Sequence, residues 1–348
     1  MSINKSDQID KQKLRKIVTI VAIAIVIIIV IINWNKLEGI LSGSNTETLA
    51  ELPIIQPSTT AFSESEPIQT VELSTSEPET IEGTLVLHMI DVGQADSFLL
   101  VQNGHTALID CGTRSTGEDV VKYLKKLGVT KLDYVIGTHP HDDHMGGMYD
   151  VITSFEIGKI IIPEVKAGDV TSNWYLKLMS EIKSGKYVVE TPKLKQVYNL
   201  GDATMKVIGP LSAPKDNTNN YSIVFKVTFG EMDIIMTGDA EKDVEAEIIA
   251  SGEVLDAEIL KVGHHGSDTS TSKKWIEAIK PSYALISTKV GNRYHHPIKS
   301  TMVLLEEKNI IIYRTDECGT VVATITSSDV KFNTKPGDYL CGDEVAEK

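Results

Sequence analysis

The stretch Thr138-His139-Pro140-His141-Asp142-Asp143-His144-Met145-Gly146-Gly147 packs three histidines and two aspartates into six consecutive residues. Such a set suits no apolar core, because every buried imidazole and carboxylate would need its own hydrogen-bond partner. A borderline divalent ion takes imidazole nitrogen and carboxylate oxygen together, so the pattern points to a metal site rather than a merely solvated loop. The chemistry such a site offers is hydrolysis. A bound divalent ion lowers the pKa of its water from about 15.7 toward about 7 and so makes hydroxide at neutral pH.

The cluster follows the β-branched run Lys131–Thr138 (KLDYVIGT), which places it on a loop at the C-terminal end of a strand. Apolar periodicity and turn residues predict strands at Thr84–Ile90, Ser97–Val101, Thr106–Ile109, Leu132–Ile136 and Lys159–Ile162, with helices near Glu118–Leu127 and Asn173–Ser184. Further strands are expected at Met205–Ile208, Ser222–Thr228, Asp233–Met236, Glu258–Val262 and Tyr283–Ile286, then at Ile310–Tyr313 and Thr320–Ile325. Helices at Glu241–Ala250, Ser272–Ile279 and Thr301–Lys308 alternate with them. Two successive series of strands, each ending in helices, fit an α/β fold of two sheets packed face to face and covered by helices.

The order His139, His141, Asp143, His144 is the H-x-H-x-D-H signature of the metallo-β-lactamase superfamily, which the chain resembles. The resemblance implies an αββα sandwich in which His139 and His141 serve one metal and Asp143 and His144 a second. It implies that Asp239, closing the strand in MDIIMTGDAE, bridges both ions, with Gly238 giving the close turn. The last ligand comes from EILKVGHHGS, which offers His264 and His265. His265 is favoured because members often carry the ligand directly before Gly; the reverse assignment stays open. A histidine usual in the family is missing, since none occurs from Met145 to Gly238. Asn219, Asn220 or Ser222 in NTNNYSIVF stands in that region, so the His139/His141 metal should be weak or completed by water or substrate. The runs HMIDVGQADSFLL, LIDCGT, NNYSIVFKV, LKVGHHGSDTSTS, GNRYHHP and YRTDECGT are similar to the β-lactamase-like domain of ComEC-type DNA-uptake proteins over about Leu85 to Ile325. That domain is regarded as a nuclease; Ala95 stands where the group usually has Gly.

Further roles follow from the resemblance. Asp91, Gln94 and Asp96 belong to a loop facing the metals, and Asp96 and Asp110 are candidates for fixing imidazole tautomers from behind. Asp143 would both bind metal and orient its hydroxide. His264 would act as proton donor or phosphate contact, and His296 would protonate the leaving group or bind phosphate. Ser267 either meets a phosphate oxygen or caps a turn. His295 is a weaker candidate for the role of His296, against a merely exposed loop histidine, and His88 and His105 read as structural.

Composition frames these roles. Ile17–Ile32 is an apolar run broken only by Thr19, preceded by Lys11, Lys13, Arg15 and Lys16. The boundaries expected are a basic cytoplasmic tail at 1–16, a transmembrane helix at 17–34, a flexible acidic Ser/Thr/Pro/Glu-rich linker at 35–83 and the folded domain at 84–348. The net charge of −14 divides into +3 up to Asn35, −8 from Lys36 to Gly83 and −9 beyond. An acidic domain has no global attraction for nucleic acid, so a nuclease would need a local basic groove. Three cysteines far apart form no disulfide framework; either Cys318 and Cys341 bridge or all three are free, with Cys111 buried at a strand end.

The expected function is a membrane-anchored, outward-facing hydrolase that uses one or two divalent ions, zinc first and manganese second. The incomplete first site invites a phosphate oxygen into the shell, which makes a phosphodiester the leading substrate and DNA a candidate. Hydrolysis of other surface esters (a cell-wall phosphodiester, a phosphocholine ester, a lactone) and a non-catalytic metal-binding domain are the alternatives. A basic groove over the metals would favour the first, a small deep pocket the second. The charge bias also makes a topological prediction: protease added to intact cells releases a fragment beginning within Gly43–Gly83, and complete protection beside a cleaved outer control overturns the orientation.

Overall fold

A computed structural model describes residues 83–212 and 217–346. The expected basic tail, transmembrane helix and linker, up to residue 82, lie outside the described residues. Among those described, no helix is long and apolar enough to cross a membrane.

The first half of the domain supplies β1 (Leu85–Met89), β2 (Phe98–Gln102), β3 (His105–Ile109), β4 (Lys131–Ile136), β5 (Glu156–Ile161) and β6 (Val189–Glu190). Then come β7 (Val197–Leu200), β8 (Ala203–Gly209), β9 (Val224–Phe229), β10 (Met232–Met236), β11 (Ile259–Lys261), β12 (Tyr283–Ile286) and β13 (Ile311–Arg314), and last β14 (Val321–Ile325) and β15 (Val330–Phe332). The helices are α1 (Gly117–Lys126), α2 (Asp142–Met145), α3 (Met148–Ser154), α4 (Asn173–Ile182), α5 (Lys242–Ala250), α6 (Lys273–Ile279), α7 (Lys299–Glu307), α8 (Thr315–Cys318) and α9 (Gly342–Ala346). They build an eight-stranded sheet, ordered β15-β14-β1-β2-β3-β4-β5-β6, and a seven-stranded sheet, ordered β13-β12-β11-β10-β9-β8-β7.

Alternation along the strands decides the layering. In β2, Phe98 and Leu100 enter the core between the sheets, while Leu99 and Val101 face the outer helices. Both faces are apolar because both are covered. Leu87, Phe225, Val227 and Met236 belong to the inter-sheet core. Val120, Leu124, Val151 and Leu178 of α1, α3 and α4 cover the first sheet, and Val244, Trp275 and Leu305 of α5, α6 and α7 cover the second. The result is the αββα sandwich.

Register brings the chemistry to one rim. β3 and β4 run parallel with Ile109 beside Ile136, so Asp110 and the His139 loop leave the first sheet together. β10, β11 and β12 are also parallel, with Ile234 beside Ile259 and Leu260 beside Ala284. Their ends carry Asp239, the His264–His265 pair and Ser287 to the same rim.

Several elements were not anticipated. β6, β7 and β15 are too short for a period to show, and α2, α3, α8 and α9 are single or double turns with little apolar repeat. The alternative Cys318–Cys341 bridge is corrected: all three cysteines are free, Cys341 is buried in the outer core of the second sheet, and Cys318 Sγ donates to Lys335 O at 3.5 Å.

His88 is buried on β1 with Nδ1 2.9 Å from Tyr123 Oη. Burial pushes its pKa down to about 4, whereas the unfolded imidazole titrates near 6.5. The unfolded chain therefore binds the extra proton across that window. The His88 contribution is complete above about pH 6.5 and is lost as pH falls through about 4, a change on the order of 3 kcal/mol. Urea denaturation at pH 7 and pH 4.5 should show a smaller stability difference in His88→Gln than in the parent. An unchanged difference excludes this origin.

Candidate metal centre

Five strand ends position the cluster and its braces. Asp143 and His144 lie on α2, a single helical turn rather than the open loop expected, and their carbonyls accept Asp96 N–H at 2.9 Å and Cys111 N–H at 2.7 Å. Gly147 lets this turn close: a Cβ there would lie 2.2 Å from Cys111 O. On the opposite sheet Gly238 adopts φ +52°, and a Cβ would press within 3.0 Å of Thr138 and Ser222. His264 and His265 are both left-handed, at φ 50° and 55°. Two successive non-glycine residues in this region are costly and mark a conformation the surroundings impose. It turns neighbouring imidazoles toward opposite oxygens of Asp239: His264 Nε2 is 3.7 Å from Oδ2 and His265 Nε2 3.8 Å from Oδ1.

One group of donors is complete. His144 Nε2 lies 3.2 Å from Asp239 Oδ2, and His265 Nε2 lies 3.7 Å from Asp143 Oδ2. His144 Nδ1 meets Asp110 Oδ2 at 2.7 Å, and His265 Nδ1 donates to Ser287 O at 2.8 Å. The outer ring nitrogens are thus occupied and the inner ones turned to the centre. His144 Nε2, His265 Nε2 and Asp239 Oδ1 are buried without a hydrogen-bond partner. Buried orphan donors of this kind are what a cation satisfies, and the ligand atoms of Asp143, His144 and His265 lie within 4.8 Å of one another, as do those of His139, His144 and Asp239. The residues fit a divalent ion.

The second group is thinner. His139 Nε2 is 3.1 Å from His141 Nδ1 and 3.8 Å from Asp239 Oδ2. His139 Nδ1 is held from behind by Thr138 Oγ1 at 3.1 Å and Ser222 Oγ at 3.2 Å. Ser222 Oγ also accepts Asp239 N–H at 3.0 Å, so it braces ligands. Asn220 Oδ1 accepts Glu241 N–H, and Asn219 Nδ2 donates to Glu241 Oε1 at 2.9 Å while its buried Oδ1 has no partner. His141 Nε2 instead meets Thr218 Oγ1 at 2.5 Å, from the 3-10 turn Thr218–Tyr221.

Electrostatics follow the geometry. Burial opposes charge on His144, but Asp239 and Asp110 hold its pKa well above the ordinary value. Burial opposes charge on Asp239 too, yet His144 and His265 keep the carboxyl well below its usual range. Asp143 is likewise lowered against burial, by the neighbouring imidazole of His265 and the charge of His144. Burial and then His144 push His139 well down.

Other expected residues separate. His264 is partly exposed, its Nδ1 3.0 Å from Thr269 Oγ1, and it lines the cavity over the centre with His296. The two rings lie 5.5 Å apart. Burial first, then His265 and His264, lower the His296 pKa to about 4. Gln94 Nε2 lies 3.4 Å from His296 Nδ1, whereas Asp91 Oδ1 caps Gly93 N–H. The buried Ser267 hydroxyl accepts Thr269 N–H at 3.2 Å, a turn-capping contact. His105 pairs with Asp133 and His295 with Asp343 on the surface. Asp96 meets His265 Nδ1 only at 3.4 Å, and its nearer partner is Lys261 at 2.7 Å.

The family pattern described as the metallo-beta-lactamase superfamily matches residues 90–288. The chain belongs to this superfamily. It therefore carries a metal-dependent hydrolase fold, with its His/Asp clusters at the rim where the two sheets meet. The chain is 32% identical to ComE operon protein 3 of Bacillus subtilis (strain 168) over 251 residues, covering 67% of this chain and 32% of that protein. It is 27% identical to competence protein ComA of Neisseria gonorrhoeae, covering 73% and 34%. It is also 27% identical to recombination protein 2 of Haemophilus influenzae, covering 67% and 28%. This superfamily member thus spans about a third of the length of the curated relatives it matches.

Sequence reasoning missed Thr218, Lys261, Ser287, Lys289 and Arg293. Lys261 alone left a local signal, a lysine in the apolar strand Glu258–Val262. The two unequal donor groups predict unequal stoichiometry. Titration of the metal-free full chain with zinc should show one tight equivalent and a second filling only at higher concentration. Two equally tight equivalents would mean that Thr218, Asn219 or another donor completes the His139/His141 site.

Proposed function

We propose that the chain is a metal-dependent phosphodiesterase with nucleic acid as its leading substrate class. The observation that carries this reading is the cavity over the centre, about 720 Å³. Its lining includes His141, Asp143, His264 and His265 together with the cations Lys289 and Arg293. These cations supply, in an acidic domain, the local basic groove that a phosphodiester requires. The relatives are named for competence and recombination, which is in keeping with it.

Asp143, His144, Asp239 and His265 would hold one divalent ion, zinc first and manganese second, with His139 and His141 offering a weaker place. When bound, such an ion supplies acidified water and charge neutralisation at the phosphoryl group. The protein's own groups do the rest. The Arg293 guanidinium lies 4.6 Å from the Tyr294 ring centroid and donates to Tyr294 Oη, so its fork is ordered before substrate arrives. Lys289 adds a second cation from the same loop. Burial, ahead of every other influence, lowers the His264 pKa, which supports a neutral Nε2–H contact to phosphate. His296, neutral for the same reason, is placed to hydrogen-bond an oxygen of the substrate. The run Ile17–Ile32 supports a single membrane anchor with the catalytic domain outside.

Two outcomes test this reading on bis-p-nitrophenyl phosphate, DNA and RNA. Asp143→Asn keeps shape and volume but loses the charge, so turnover should fall by more than ~100-fold, beyond the usual cost of losing an outer partner, with the thermal midpoint little changed. Full activity in that variant rejects the hydrolase. Arg293→Ala should raise KM roughly tenfold through loss of a charge-assisted contact while the bound metal stays constant. An unchanged KM on every phosphodiester removes Arg293 from recognition.

A further inference from the structure

Lys261 ends β11 behind the candidate ligands, and no motif accounts for it. The side chain is 1% exposed. Its Nζ lies 2.7 Å from Asp96 Oδ2, 2.9 Å from Gly238 O and 3.7 Å from Asp239 Oδ1. The other Asp96 oxygen accepts the Ser287 hydroxyl. A fully buried ammonium is expensive to keep unless it is paired, and here it stands at the end of a strand whose other residues, Ile259 and Leu260, are buried and apolar.

We propose that Lys261 is a permanent internal cation of the metal centre, lowering its affinity for divalent ions and so limiting how many it holds. This rests on the reading that Asp239 and its neighbours bind metal. Four carboxylates converge here: Asp96, Asp110, Asp143 and Asp239. Asp110 is engaged by His144, and Lys261 neutralises Asp96 while facing the Asp239 oxygen that also faces His265. A unit charge a few ångströms from a ligand oxygen lowers divalent affinity about tenfold or more, even at an effective dielectric constant of about 20. The charge faces the Asp239 oxygen turned to His265, and through the shared carboxylate it also opposes an ion at the His139/His141 group, which has the fewest donors to set against it.

A purely structural role makes the opposite prediction. If Lys261 only held Gly238 and Asp239 in place, its removal would spoil a ligand and weaken metal binding. The test is zinc affinity of the purified full chain, by competition with a chromophoric chelator, with bound metal counted by elemental analysis and the fold checked by thermal midpoint. Lys261→Met should bind zinc at least tenfold tighter, about 1.4 kcal/mol, and gain its second equivalent where the parent holds one. Asp96→Asn, which leaves Lys261 uncompensated, should bind at least tenfold more weakly. Asp96→Asn/Lys261→Met, which removes one charge of each sign, should return to within about threefold of the parent.

If Lys261→Met does not fold, the Asp96→Asn variant and the charge-balanced pair carry the same comparison. Weaker or unchanged zinc binding in a folded Lys261→Met overturns the proposal, and so does a charge-balanced variant no tighter than Asp96→Asn. A parent that binds no zinc overturns both this and the metal centre. A parent that binds zinc in the predicted order but cleaves no phosphodiester rejects the function above and leaves Lys261 in its role.

Discussion

The Asp239 carboxylate is 1% exposed and is ringed by five cationic or protonatable groups at 3.2–3.8 Å: His139, His144, His264, His265 and Lys261. A carboxylate taken out of water is tolerated only when charge and hydrogen bonds are returned to it. Much that is unusual in the backbone exists to return them. His264 and His265 adopt left-handed conformations to face its two oxygens, and Gly238 turns tightly enough to leave room for Thr138 and Ser222. On the opposing sheet Asp110, itself left-handed at φ 59°, gathers its neighbours Thr138 and His144. Strain concentrated in this way is a mark of a site rather than of a core.

The sandwich tolerates that strain because its core makes no use of these residues. The inner sheet faces are filled by Leu87, Leu100, Phe225, Val227 and their neighbours, and the helices cover the outer faces. The polar residues of the site are gathered at the strand ends, where parallel neighbours deliver them side by side. Rigid strands then hold the ligands more firmly than free loops would.

The His295–Pro297 loop that lines the cavity is braced by the end of the described chain. Arg314, fully buried, pairs with Asp316 through Nε at 2.7 Å and Nη2 at 2.8 Å, and donates to Leu340 O. This clamp sets the segment leading to α9 beneath the His295–Pro297 loop, where Gly342 N–H donates to Pro297 O at 2.8 Å. Gly342 is needed because a Cβ would lie 2.4 Å from His296 O. The position of His296 in the cavity therefore depends on residues nearly fifty positions away, which touch no part of the metal centre.

The sequence by itself determined the metal-binding character of His139–His144, the paired sheets and most of their strands, because clustered ligands and apolar alternation are local signals. It also marked Asp239 and the His264–His265 pair, through strand ends that the resemblance made legible. Distances between elements were not readable. That Asp143 and His144 sit on a helical turn follows from how α2 packs on Cys111 and Gly112 backbone, not from any periodicity in four residues. Thr218 stands against His141, and Lys261 against Asp96, only because the fold brings together residues 77 and 165 positions apart. The pair of cavity-lining cations Lys289 and Arg293 is invisible in a chain of net charge −14, since composition averages over the surface while a cavity collects two side chains. Charge balance around a buried carboxylate is a three-dimensional property, and the tertiary structure alone decided it.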